Sequence, residues 1–109
     1  MIIDKPSQWL SIPGRDPNDS RPVLGRFVEE KLQTQVFPIH RLDAEVSGLI
    51  VYGLSPEFHK EANALFENKQ IKKTYQALTN DGPFEKNQTM TWRSKILRGK
   101  KRTYEAPYG

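Results

Sequence analysis

Residues Ser47–Leu54 form an apolar run holding the β-branched pair Ile50 and Val51, and Ser55-Pro56-Glu57 follows directly. The run reads as a strand. The tripeptide reads as a helix start, with a hydroxyl to cap, a proline for the first helical position and an acid for the first turn. Phe58, Ala62, Leu65 and Phe66 then recur at helical spacing, so a helix is expected from Ser55 to near Lys69. A strand that runs straight into a helix places the chain among folds that combine sheet and helix.

The remaining segments fit that class. Met1–Ile3 and Trp9–Ile12 read as short strands, and Pro13–Asp19 as a loop by composition. Ser20 offers a cap with Pro22 in the first turn. Val23, Leu24, Phe27, Val28 and Leu32 share one helical face, which predicts a helix over roughly 20–34. Val36–Ile39 reads as a short buried strand. Lys72–Thr79 and Thr89–Leu97 read as two more, separated by an Asp81-Gly82-Pro83 turn signal. This order predicts an α+β domain, or a mixed-sheet α/β one, and 109 residues leave room for one domain.

Composition removes several functions. The chain has no Cys, which excludes a disulfide scaffold, thiolate catalysis and Cys-ligated zinc. Its two His, His40 and His59, lie too far apart for a metal-ligand spacing. No run approaches the ~20 apolar residues of a membrane span. No basic segment followed by an apolar stretch opens the chain, so no signal peptide and a cytoplasmic location are expected. The net charge of +4 is unevenly spread, since residues 84–109 hold seven Lys/Arg against two acids. Arg93, Lys95, Arg98, Lys100, Lys101 and Arg102 form either a phosphate-binding patch or a solvated basic loop. Trp92, Tyr104 and Tyr108 beside them suit RNA stacking and strand packing alike.

Two polar clusters remain. His40-Arg41-Leu42-Asp43, followed by Ser47-Gly48-Leu49, lies between two strand candidates, where a rigid frame positions functional groups. Asp43 is fit to act as a general base or nucleophile. Spacing equally permits a structural Arg41–Asp43 ion pair, a packing role for His40 and a simple turn at Gly48. In the second cluster, Lys72–Ala77, alternation places Lys73, Tyr75 and Ala77 on one face. Tyr75 there serves to stack on a base or to pack.

His40-Arg41-Leu42-Asp43-Ala44-Glu45-Val46-Ser47-Gly48-Leu49 resembles the HRLDxxTSGL signature of the RluA-type pseudouridine synthases. Asp4-Lys5-Pro6-Ser7 with Trp9-Leu10-Ser11-Ile12-Pro13-Gly14-Arg15 resembles the opening KPSG-LLS-PGR segment. Ser55–Phe66 resembles the helix after the signature, and Lys73-Thr74-Tyr75-Gln76-Ala77 the KxYxA strand. Four motifs in order, over nearly the whole chain, make the resemblance specific. It implies an incomplete pseudouridine synthase fold with a mixed, mostly antiparallel sheet and packed helices. It implies isomerisation of uridine to pseudouridine in RNA without cofactor or metal. Asp43 would be the catalytic aspartate, Arg41 the residue that places the nucleotide, and Tyr75 the ring stacked on the target base. The PGR form points to the branch that modifies ribosomal and transfer RNA.

The sequence departs from that pattern in three places. Val46 stands where Thr is usual, and Gln8 where Gly is usual. No segment resembles the later TGRxHQxR motif. Residues 1–109 are therefore expected to be the N-terminal part of a catalytic domain, truncated, weakly active or inactive, and with an open sheet edge. An ordinary frayed terminus is the plainer reading of its end. Two competing expectations stand beside the enzyme. One is a non-catalytic RNA-binding module using the basic 93–102 segment. The other is a fragment with neither function that dimerises through its edge.

Overall fold

The computed structural model describes residues 1–80, 82, 85–91, 93, 95–98 and 103–105. The chain divides into two units, Met1–Thr74 and Tyr75–Gly109.

The first unit contains β1 (Ile2–Lys5), α1 (Leu24–Leu32), β2 (Phe37–Pro38), β3 (Gly48–Gly53) and α2 (Pro56–Glu67). The three strands form one antiparallel sheet in the order β1-β3-β2. Ile2 faces Val51 and Lys5 faces Gly48, while Phe37 faces Gly53. The alternation of β3 sends Ile50 and Tyr52 to one face, where both are fully buried. Leu24 and Val28 of α1 close over them with Val36 and Leu42, and Ile3 and Trp9 pack at the margin. Full burial of a side chain such as Ile50 stabilises the fold by about 1.5–3 kcal/mol. On the opposite face, Phe58 and His59 of α2 pack against Gly53. Leu49 and Ile2, further along that face, are exposed.

Helix α2 begins where the sequence predicts. The Ser55 Oγ accepts a hydrogen bond from the Phe58 N–H at 3.2 Å, and Pro56 opens the first turn. Its end is a Schellman arrangement. Lys69 takes a left-handed φ of 54°, its N–H donates to the Phe66 carbonyl, and the Gln70 N–H donates to the Leu65 carbonyl.

Helix α1 starts four residues later than the sequence predicts. Ser20 is not its cap and Pro22 precedes its first turn; the cap residue is Val23, with no side-chain hydrogen bond. The backbone of Leu10 does the capping instead. The Leu24 N–H donates to the Leu10 carbonyl and the Leu10 N–H to the Pro22 carbonyl, both at 2.8 Å. That tertiary partner satisfies the open helix end, so a hydroxyl is not required. Trp9–Ile12 is accordingly a single parallel bridge, Leu10 with Val23, rather than a strand.

The second unit holds an antiparallel hairpin of β4 (Ile96–Arg98) and β5 (Thr103–Glu105), with Ile96 facing Glu105. Residues 72–79, predicted as a strand, lie in no strand and are exposed. Their alternation gives each face lysine or glutamine, so neither face gains enough burial to hold a ladder. Of Thr89–Leu97, the described strand begins only at Ile96. Asp81, Pro83, Trp92, Lys100–Arg102 and Tyr108 lie outside the described residues. The α+β class holds. Among the described residues every named strand pairs antiparallel, and the Leu10–Val23 bridge is the one parallel pairing.

Candidate active site

Between β2 and β3, residues 39–47 cross from strand to strand outside any ladder. Their burial still alternates. Leu42 and Ala44 are buried, while Arg41, Asp43 and Glu45 are exposed. Two small apolar anchors thus turn three charged side chains outward together. They border an open pocket of about 290 Å³, lined by residues 10–14, Arg21 and residues 41–45. That is close to the lower bound of ~300 Å³ for small-ligand clefts.

The loop is fastened to the segment that follows β1. Lys5 is fully buried, and its Nζ donates to the carbonyls of Pro6, Trp9 and Ala44 at 3.0, 2.8 and 3.2 Å. Three donors meet three acceptors, so the buried ammonium is satisfied. Burial lowers its pKa, while Glu45 and Asp43 pull the other way. The Gln8 N–H also donates to the Ala44 carbonyl at 2.6 Å. The Ser7 Oγ donates to the Glu45 carbonyl at 2.9 Å. Within the loop the Val46 N–H closes a turn onto the Asp43 carbonyl at 3.0 Å.

The expected site residues separate into two sets. Arg41 and Asp43 line one pocket and are not ion-paired; among the described residues the one salt bridge joins Arg21 to Asp19. Tyr75 belongs to the second unit and is 60% exposed. His40 proves a packing residue. Its Nε2 accepts the Val51 N–H at 3.1 Å and its ring stacks on Phe66 at 5.1 Å. Burial lowers its pKa, and Lys73 adds to that, so the neutral ring that this acceptor role requires is favoured. Gly48 has a φ of +134°, a conformation that side chains rarely adopt, at the register position facing Lys5.

Two pocket residues escape the sequence reading. Arg21 is held in a fork by Asp19, with Nε to Oδ1 at 3.0 Å and Nη2 to Oδ2 at 2.7 Å. Those hydrogen bonds bring the Asp19 carboxyl down to about 2. The signal is the Asp19-Ser20-Arg21 spacing, which spans the boundary between the expected loop and the expected helix. Glu45 was visible only as part of the signature stretch. A carboxylate that lines one open pocket with two guanidinium-bearing residues can meet a sugar while the arginines meet phosphate. Among the described residues no three His, Asp or Glu gather to hold a metal ion, and no helix is long and apolar enough to cross a membrane.

A model of the RNA pseudouridylate synthase family matches residues 1–107. The chain is 38% identical over 78 residues to the dual-specificity RNA pseudouridine synthase RluA of Pasteurella multocida, covering 72% of this chain and 35% of that protein. It is 39% identical over 79 residues to the protein of the same name from Yersinia pestis, covering 69% and 35%. To the tRNA pseudouridine synthase C of Salmonella typhi it is 33% identical over 78 residues, covering 72% and 30%. These alignments span about a third of each relative's length. No solved structure matches the chain. The match across nearly all of its residues establishes that the chain belongs to the RNA pseudouridylate synthase family.

Proposed function

We propose that the protein carrying this chain isomerises uridine to pseudouridine in structured RNA, ribosomal or transfer, with Asp43 as its catalytic residue. The observation that carries the reading is the pairing of the family match with an Asp43 turned into an open pocket by its buried neighbours. The named relatives are RNA pseudouridine synthases, one kind described as dual-specificity and one as acting on tRNA. In this reading the protein works in the cytoplasm, where such RNA substrates are met.

The reaction sets the chemical demands. The C1′–N1 bond breaks, the uracil turns, C5 joins C1′, the C5 proton leaves and N1 gains one. Atoms and electrons balance, so neither oxidant nor reductant is consumed. Asp43 acts as nucleophile at the sugar or as the base that takes a proton from it. The target base must leave its stack to reach the pocket, at a cost of a few kcal/mol. In this reading Tyr75 stacks on the base, returning about 1–3 kcal/mol, and serves the late proton transfer. Arg41 holds the nucleotide, as its fork matches phosphate and stays charged. The exposed Arg93 and Lys95 suit the approach of an RNA backbone.

Loss of the C5 proton gives the test. Unmodified tRNA and rRNA transcripts tritiated at uracil C5 are incubated with the protein. Tritium release matched by pseudouridine in the digested RNA is the expected result. Salt-sensitive binding of the same RNA with no release from either transcript overturns the enzymatic reading in favour of an RNA-binding module.

A further inference from the structure

We propose that Ser11 is a positioning residue for Asp43, an inference that rests on the catalytic reading of Asp43 above. Ser11 is 3% exposed. Its Oγ donates to the Leu42 carbonyl at 2.7 Å and accepts the Leu42 N–H at 3.0 Å. One hydroxyl therefore grips both backbone polar groups of one residue. The Leu42 N–H belongs to the peptide plane shared with Arg41, and its carbonyl to the plane shared with Asp43. Fixing both planes fixes the Cα positions on either side, and with them the directions in which Arg41 and Asp43 leave the backbone.

Ser11 is itself held from three sides. The Tyr52 hydroxyl donates to its carbonyl at 2.6 Å. Tyr52 is fully buried in β3, where burial pushes its phenol up to about 12, so it stays a donor. Leu10, the preceding residue, is bonded through its N–H to Pro22, ahead of α1, and through its carbonyl to Leu24, the first residue of the helix. Gly25 packs so closely that an added Cβ would lie 3.2 Å from the Ser11 carbonyl. A continuous path thus runs from the core strand through Tyr52 and Ser11 to Leu42 and the two outward side chains. The tethers from Lys5, Ser7 and Gln8 grip Ala44 or Glu45, after Asp43. At the start of the loop Ile39 and His40 are bonded to Val51, and Ser11 grips Leu42, the residue directly before Asp43. Serine suits the task because one small group both donates and accepts.

The test compares wild type, Ser11→Ala, Ser11→Cys and Asp43→Asn of the protein carrying this chain. Pseudouridine formation, RNA affinity, thermal stability and amide hydrogen exchange are measured at a temperature where each variant is folded. Ser11→Ala is expected to lower kcat about 10–100-fold, with KM and RNA affinity within about twofold of wild type. Leu42 exchange should accelerate while Ile50 and Tyr52 stay protected. Ser11→Cys, which keeps the shape with a weaker donor, should show an intermediate kcat and serves alone if Ser11→Ala does not fold. Wild-type kcat in the folded Ser11 variants, with Asp43→Asn inactive, overturns the role of Ser11 and leaves the catalytic reading standing. A kcat loss that only tracks the unfolded fraction also overturns it. Full activity in Asp43→Asn overturns both.

Discussion

Gln8 shows how one residue departs from its surroundings. It holds a left-handed φ of 68° where the resembling pattern carries Gly, and its N–H donates to the Ala44 carbonyl beside Asp43. A side chain in that region crowds its own backbone, at a cost of about 1 kcal/mol. The loop tether over-determines the conformation, which is how such strain persists near a site. Gln8→Gly is therefore expected to raise stability by about 0.5–1 kcal/mol, read as a higher Tm in thermal unfolding. A lower Tm would mean that the Gln8 side chain contributes more than its backbone conformation costs.

At the scale of elements, His40 joins three of them. It follows β2, accepts the Val51 N–H of β3 and stacks on Phe66 of α2. These contacts need Nε2 unprotonated. The folded pKa lies below the ordinary 6.5 because of burial, with Lys73 adding to it. The unfolded chain then binds the proton first as pH falls. Stability is complete above about 6.5 and drains as pH drops from there toward the folded pKa. Wild type is expected to lose more Tm between pH 7.5 and 5 than His40→Gln, whose amide does not titrate. Equal losses would show that His40 does not couple these elements to pH. The strand–helix junction at Ser55-Pro56-Glu57 was legible because its signals are local: cap, proline and acid act within one turn. The start of α1 was not legible, because its cap is the carbonyl of Leu10, fourteen residues before Leu24, the helix's first residue, and joined to it only by folding. Residues 72–79 misled for a related reason. Alternation predicts which faces a strand would have, not whether a ladder forms.

Across the whole molecule, the candidate site was legible as a stretch and partly as a geometry. His40–Leu49 announced itself by its resemblance, and the burial of Leu42 and Ala44 between exposed Arg41, Asp43 and Glu45 follows from residue type. The grip of Lys5 and Ser11 on the loop was hidden, because their partners there, the backbones of Ala44 and Leu42, lie 39 and 31 residues away. Side chain to distant backbone contacts leave no pattern in one sequence. The same tethers explain how a loop without strand pairing can present a carboxylate in a fixed direction. Asp43 carries the proposed chemistry. Its most direct measurement is pseudouridine formation by wild type and Asp43→Asn on the same unmodified transcripts, with RNA affinity measured alongside. Activity is expected to fall by at least about 10³-fold while affinity stays within a few-fold, because the variant keeps the shape and loses the reacting carboxylate. Comparable activity in the two proteins would contradict the catalytic role of Asp43.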